Sequence, residues 1–204
     1  MKQTVIINGK GGCGKDTFCA QIAASRPTGS VRVFSSIDCI RYVALAGGWD
    51  GEKDEKGRLL LSKLKEAFTE YDDLPFKETK GAWEAFMEDE AAEILFIHIR
   101  EMSEIEKTAE WIRAQGGRVC TLLIRRMTPG WRPATGNPSD DGAERGEYDY
   151  VYENRFQRGR GMESDMEHFF SALLANEALK EAKEGIERAV EKIEKLRGCY
   201  TKNW

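Results

Sequence analysis

The residues near the amino terminus follow a pattern with a specific chemical use. Gly9-Lys10-Gly11-Gly12-Cys13-Gly14-Lys15 has the spacing GxxxxGK, which cradles the phosphates of a nucleoside triphosphate. Glycines let consecutive backbone N–H groups turn inward and form an anion-binding nest. A helix starting where the turn ends adds the positive end of its dipole. Lys15 then reaches the β- and γ-phosphates as a point charge. The next position usually carries Ser or Thr, whose hydroxyl binds Mg²⁺; here it is Asp16, with Thr17 following. A carboxylate is a hard oxygen ligand, so Asp16 and Thr17 are candidate Mg²⁺ ligands, direct or through water. Alternatively, Asp16 is a first-turn residue that complements the helix dipole.

Such a turn works only between a strand and a helix. Residues 4–8 are short, apolar and β-branched and predict a buried strand. A helix is expected from Lys15, with Phe18 and Ile22 on one face and Pro27 closing it. Further strands are predicted over residues 31–37, 94–99, 118–124 and 148–152, and a short helix over 38–46. Leu60, Leu61, Leu64 and Phe68 recur at helical spacing, as do Ala82, Trp83, Phe86 and Met87. Another helix carries Met102, Ile105, Ala109 and Ile112, with Ser103 and Glu106 at capping-box spacing and Gly116-Gly117 as its stop. Residues 49–57 and 125–147 read as loops. Strands alternating with helices imply right-handed crossovers and a three-layer α/β/α fold around a five-stranded, mostly parallel sheet.

Gly14-Lys15-Asp16-Thr17 resembles the GKDT variant of the phosphate loop in phage-type deoxynucleoside monophosphate kinases, and is related to the GKD of animal phosphomevalonate kinases. The run from Phe96 through His98 and Arg100, the Gly116-Gly117 turn and the strand reaching Arg125 are similar to the former family's DVR segment, glycine turn and arginine-ended strand. Tyr148 to Asn154 is similar to a late strand of nucleotide kinases, and Trp49 to Arg58 looks like the GWDG…KDEKGR segment of a group of bacterial and phage nucleotide-kinase-like proteins. The resemblance spans residues 1 to about 155. It implies a P-loop kinase core over residues 1–160, with an acceptor region near 38–92 and a lid near 126–146, followed by a helical extension over 161–204.

Monophosphate kinases need a second anion site, and arginine suits it because the guanidinium grips phosphate in a fork. Arg41, Arg58, Arg100, Arg125, Arg126 and Arg132 are the candidates. Asp38 and Arg41 follow the second strand at its carboxyl end, where ligands of open α/β sheets bind. Asp38 is then an acceptor contact or a helix N-cap. By resemblance Arg58 binds the acceptor phosphate, and Arg100 stands at the arginine of DVR. The aspartate of that motif is His98 here, which removes a carboxylate that helps to organise Mg²⁺; Glu101 or Asp16 is the expected substitute. His98 itself is expected to be a buried strand residue rather than a base, since transfer to a phosphate needs no strong base. Arg125 and Arg126 are expected to neutralise the transition state, and residues 128–145 to close as a lid over ATP or to form a loop without a role. Trp131 in that segment either packs or stacks on a base.

The composition limits the alternatives. Thirty-one Lys and Arg against thirty-five Asp and Glu give a net charge of −4, a poor match to a nucleic-acid polymer. No apolar run is long enough for a membrane span or a signal peptide. Five cysteines without a CxxC pair fit a reducing cytoplasm. In the tail, Leu179, Ala182, Ile186, Ala189, Ile193 and Leu196 step by three and four. That stripe fits a helix lying on the domain or a homodimer contact; two or three heptads are a marginal coiled coil alone. The expectation is an ATP- and Mg²⁺-dependent transfer of phosphoryl to a nucleoside or deoxynucleoside monophosphate. Its alternatives are a kinase of another small phosphorylated metabolite, in the manner of phosphomevalonate kinase, and a nucleotide-binding regulatory protein with little catalysis.

Overall fold

A computed structural model describes residues 2–52, 54–132, 142–155 and 162–200, with side chains in the last helix from 165 to 195. The first strand, β1 (Gln3–Asn8), is buried at every position. Its β-branched residues suit a strand with neighbours on both edges. It pairs in parallel with β3 (Ile94–His98), Ile7 opposite His98, and with β4 (Val119–Arg126), Ile7 opposite Leu122. β2 (Val31–Ser35) flanks β3, and β5 (Tyr150–Asn154) flanks β4, giving the order β2-β3-β1-β4-β5 with all strands parallel. All carboxyl ends therefore open on one edge, where the phosphate loop lies.

The pleat divides the core in two. Val5 and Ile7 face a cluster with Phe18 and Ile22 of α1 (Lys15–Ala24) and Met166, Phe170 and Leu173 of α6 (Met162–Tyr200). Ile6 faces the other way, against Trp83 and Phe86 of α4 (Leu74–Glu88) and Ile105, Ala109 and Ile112 of α5 (Met102–Ala114). A smaller third cluster joins Ile40 and Ala44 of α2 (Asp38–Ala46) to Leu61 of α3 (Glu55–Asp72). Phe170 meets Phe18 and Phe96 with centroids 6.1 and 5.4 Å apart; each such pair adds about 0.5–1.5 kcal/mol beyond burial.

Several boundaries differ from the sequence expectation. The segment read as a loop through residue 57 already contains the start of α3, because the Asp54 carboxylate accepts from the Gly57 N–H at 2.7 Å and caps the helix. Ser103 and Glu106 form no capping box, since α5 starts two residues earlier and its N-cap, Glu101, makes no side-chain cap bond. The Gly116-Gly117 stop is real: Gly117 N–H reaches Ile112 O and Gly116 N–H reaches Arg113 O, both at 2.9 Å, the Schellman pattern. β4 continues through Arg126, which shortens the loop after it. β5 starts at Tyr150 because Tyr148 and Asp149 bond elsewhere: the Tyr148 hydroxyl donates to Ala143 O, and Asp149 accepts from Thr121.

Helix α6 begins inside the main core and then leaves it: from residue 178 to 195 its side chains are exposed, apart from a half-buried Gly185. Among the described residues no helix is long and apolar enough to cross a membrane. Because Phe170 is fully buried between α1 and β3, Phe170→Ala is expected to cost about 3–5 kcal/mol. Urea unfolding followed by circular dichroism checks this; an unchanged midpoint would make α6 dispensable to the core.

Candidate phosphate-binding site

The turn from β1 to α1 is fixed from three directions. Gly9 has φ 144°, and a Cβ there would lie 2.4 Å from the Ile124 carbonyl of β4. Gly14, the α1 N-cap at φ 104°, leaves room for the Asn154 amide, which a Cβ would approach at 2.5 Å. That amide donates to the Cys13 carbonyl at 2.8 Å, so the end of β5 holds the loop. Asn8 secures the other side: its Oδ1 accepts from Gly9 N–H at 2.7 Å, and its Nδ2 donates to Arg100 O at 2.9 Å and Tyr148 Oη at 2.7 Å.

Within this frame Lys15 folds back over the loop, donating to Gly9 O and, at 3.1 Å, to Lys10 O, with Cys13 Sγ 3.8 Å away. Arg126 Nη1 donates to Gly12 O at 3.0 Å, and its guanidinium lies 5.5 Å from the centre of the Trp131 ring. Trp131 is thus packed beside the loop under a cation. Arg125 and Arg126 are successive strand residues and point to opposite faces; among the described residues Arg126 is the one of the two that bonds to the loop. Lys10 pairs at 2.9 Å with Glu144, which binds the loop to the far end of the expected lid. Residues 133–141 of that lid lie outside the described residues.

Asp16 is fully exposed on the first turn of α1, with Thr17 exposed beside it. Its Oδ1 stands 3.7 Å from His98 Nδ1, while His98 Nε2 is 3.5 Å from Cys19 Sγ. His98 is therefore a strand-end residue, as expected, and is packed against the phosphate loop's helix. Burial pushes its pKa down from 6.5 to about 4; Asp16 pulls the other way, and Lys15, Asp38 and Arg41 also act on it. Asp38 and Arg41 thus share the neighbourhood of His98, joined by a 2.8 Å ion pair. Asp38 does not cap its helix, since the N-cap is Ile37 and no side-chain cap bond forms. Among the described residues the buried Arg41 Nε has no hydrogen-bond partner.

Arg58 is half-buried, one residue after Gly57, where Trp49 Nε1 would be 2.8 Å from an added Cβ. The Trp49 indole donates to Glu52 O at 3.1 Å, so the GWDG loop folds onto the start of α3 and sets Arg58. Arg100 is half-buried just past β3. Glu101 is engaged by Lys65 of α3 in an ion pair. Lys65 escaped the sequence analysis; the signal was its spacing of seven from Arg58, which puts both on one helix face. It lines a small hollow with Ser36, Phe76, Thr79 and Glu104. Asn8 and Asn154 were also missed, because an amide that holds a backbone carbonyl has no spacing signature. Arg132 is exposed at the edge of the described segment.

Among the described residues no group of three or more His, Cys, Asp or Glu side chains gathers as a metal cage. Mg²⁺ in nucleotide sites is held by one or two carboxylates plus phosphate oxygens and waters. The exposed Asp16 carboxylate at the loop fits that demand.

No family model matches the chain, and no curated protein matches it. Solved structures do. The tunicamycin resistance protein of Deinococcus radiodurans is similar at TM-score 0.50 and 15% identity, over 85% of this chain and 96% of that one. An APS kinase of Mycobacterium tuberculosis gives TM-score 0.39 and 13% identity, over 84% and 96%. A shikimate kinase of Acinetobacter baumannii, in complex with shikimate, gives 0.41 and 12%, over 86% and 95%. The fold is α/β, a five-stranded parallel sheet with flanking helices, similar to that of the tunicamycin resistance protein.

The depressed pKa of His98 has a measurable consequence. Above pH 6.5 both folded and unfolded chains carry a neutral imidazole; between 6.5 and about 4 only the unfolded chain takes up the proton. Stability is therefore expected to fall as pH drops through that window, by up to roughly 3 kcal/mol, and His98→Asn is expected to lose this component. Urea midpoints of both proteins from pH 7 to pH 4 check it; parallel curves would place the proton elsewhere.

Proposed function

We propose that the protein transfers the γ-phosphoryl of ATP to a small phosphorylated acceptor, a nucleoside or deoxynucleoside monophosphate. The observation that carries this reading is the phosphate loop itself. Gly9 and Gly14 are pinned where a side chain cannot fit, and Lys15 and Arg126 are both bonded to the loop's own carbonyls. Two cations so placed can exchange neutral carbonyl partners for phosphate oxygens, whose negative charge adds direct Coulombic attraction to each bond.

In this mechanism the loop amides and Lys15 hold the β- and γ-phosphates, and Arg126 meets charge that develops on the transferred group. Asp16, with Thr17 on the same turn, would hold a Mg²⁺ ion, which supplies charge neutralisation between the phosphates. The acceptor lies at the carboxyl ends of β2 and β3. Arg41, whose buried Nε has an unused donor, takes its phosphate with Arg58 and Arg100. Asp38 holds Arg41 in place and contacts the acceptor's sugar or base. Lys65 and Glu101 extend the same wall. Binding in the correct geometry supplies most of the rate, since phosphoryl transfer leaves little covalent work to the protein.

The test is coupled ADP release with ATP and Mg²⁺ against a panel of ribo- and deoxynucleoside monophosphates. Release is expected to depend on one acceptor, and Lys15→Ala to lower kcat/KM by on the order of a hundredfold or more. Arg41→Ala is expected to raise the acceptor KM roughly tenfold or more, the value of a lost charged hydrogen bond, with ATP affinity unchanged. Release independent of every monophosphate would overturn the nucleotide acceptor.

A further inference from the structure

The chain just past β4 is built around one cation. Met127 N–H still pairs with Asn154 O at 2.9 Å, and the chain then reverses, with Trp131 N–H donating to Thr128 O at 3.1 Å. Pro129 in the second position and Gly130, at φ 76°, in the third carry the signature of a type II turn. The reversal returns Trp131 to the main core cluster, against which its half-buried ring packs. Its indole Nε1 lies beside the phosphate loop, 4.0 Å from where a Cβ on Gly12 would stand.

This turn grips Arg126. The Arg126 Nε donates to Thr128 Oγ1 at 3.3 Å, its Nη1 donates to Gly12 O at 3.0 Å, and its guanidinium lies 5.5 Å from the centre of the Trp131 ring. An arginine at a strand end is otherwise a long side chain on rotatable bonds, and fixing it when a ligand arrives costs rotamer entropy. Here the order is built in with the fold, which lowers the cost of using the group in binding. The indole also holds the cation through its π face, not through a hydrogen bond. That distinction matters at the loop rim. The Gly12 carbonyl is the partner that a phosphate oxygen would replace, and a ring contact lets the guanidinium change that partner without leaving its place.

We infer that Trp131 is the positioning residue of Arg126: the 128–131 turn holds the guanidinium against the indole at the loop rim, ready for a phosphate of the bound nucleotide. This rests on the phosphate-binding reading of the loop. It is independent of which acceptor is used, because Trp131 acts through Arg126 alone.

Titration calorimetry with Mg²⁺ and ATP, without any acceptor, gives the test through a double-mutant cycle. Arg126→Leu is expected to weaken binding roughly tenfold, the value of a lost charged hydrogen bond. Trp131→Leu keeps an apolar side chain on the core and removes the ring, and is expected to weaken binding about fivefold. The double variant is expected to bind no more weakly than Arg126→Leu alone, since the ring then has nothing to hold. Trp131→Phe restores a ring face and is expected to return binding to within about twofold of the parent chain. Thermal midpoints are taken alongside; a purely structural loss at Trp131 would lower them and would persist in the Arg126→Leu background. Three results would each overturn the inference and leave the phosphate site standing: losses that add in the double variant, a Trp131→Leu chain that binds like the parent, or a Trp131→Phe chain as weak as Trp131→Leu. A parent chain that binds no ATP would overturn both. Coupled losses in a chain without monophosphate-dependent ADP release would support the inference and remove only the nucleotide acceptor.

Discussion

The bond from the Asn154 amide to the Cys13 carbonyl is the constraint on which the rest of the phosphate site depends. It joins the last strand of the sheet to the first turn of the chain, and it requires Gly14, since any Cβ there would displace the amide. Asn154 can reach Cys13 only because β5 pairs with β4 in a register that sets Arg126 opposite Asn154. The same pairing carries Arg126 to the loop rim. Asn8 acts in the same way at the other side, holding the loop, the start of the segment after β3 and Tyr148 with one side chain. Each such bond is worth only about 1 kcal/mol net. Their value lies in fixing backbone amides before a ligand arrives, so that the ordering cost is met in folding rather than in binding.

Burial and charge are coupled in the same place. His98 ends a strand that is otherwise fully apolar and sits over Cys19. That environment keeps the imidazole neutral at physiological pH. A charged imidazole 3.7 Å from Asp16 would pair with the carboxylate and weaken it as the Mg²⁺ ligand proposed for it. A neutral one leaves the carboxylate available while still filling the space at the end of β3. Where the sequence resemblance leads one to expect a hydroxyl after the lysine and a carboxylate at the strand end, this chain has a carboxylate after the lysine and an uncharged ring at the strand end.

The phosphate loop and its flanking strand and helix were legible because their signal is local: a β-branched run, a glycine spacing and a helix with Phe18 and Ile22 on one face follow one another within about twenty residues. The parallel sheet followed from the alternation of elements. The order of its strands had no such signal, since it depends on which crossover packs on which face. Boundaries failed where a side chain was committed elsewhere: Asp54 caps a helix inside a stretch whose charges read as loop, and Tyr148 and Asp149 bond outside the strand that the Tyr-rich run 148–152 predicts. The acceptor side was least legible. Arg125 and Arg126 look equivalent in sequence, yet the strand pleat sends them apart, and the heptad spacing of Lys65 from Arg58 gains meaning once Lys65 is seen to pair with Glu101.

The two sides of the site rest on unequal foundations. The clusters flanking the sheet contain fifteen and eleven buried side chains among the described residues, whereas the cluster joining α2 to α3 contains three. The phosphate loop, Lys15 and Arg126 are therefore mounted on the rigid part of the molecule. Asp38, Arg41 and Arg58 are carried by helices with little core of their own, tied to the sheet through α4 and through ion pairs such as Lys65 with Glu101. Segments with few buried apolar contacts open at lower free energy than the global fold. A transfer between two bound phosphates needs a fixed donor and an acceptor that can be brought to it and enclosed. On the proposed function the distribution of apolar residues meets that need: burial is concentrated beneath the phosphate loop and is sparse under the helices that carry Arg41 and Arg58.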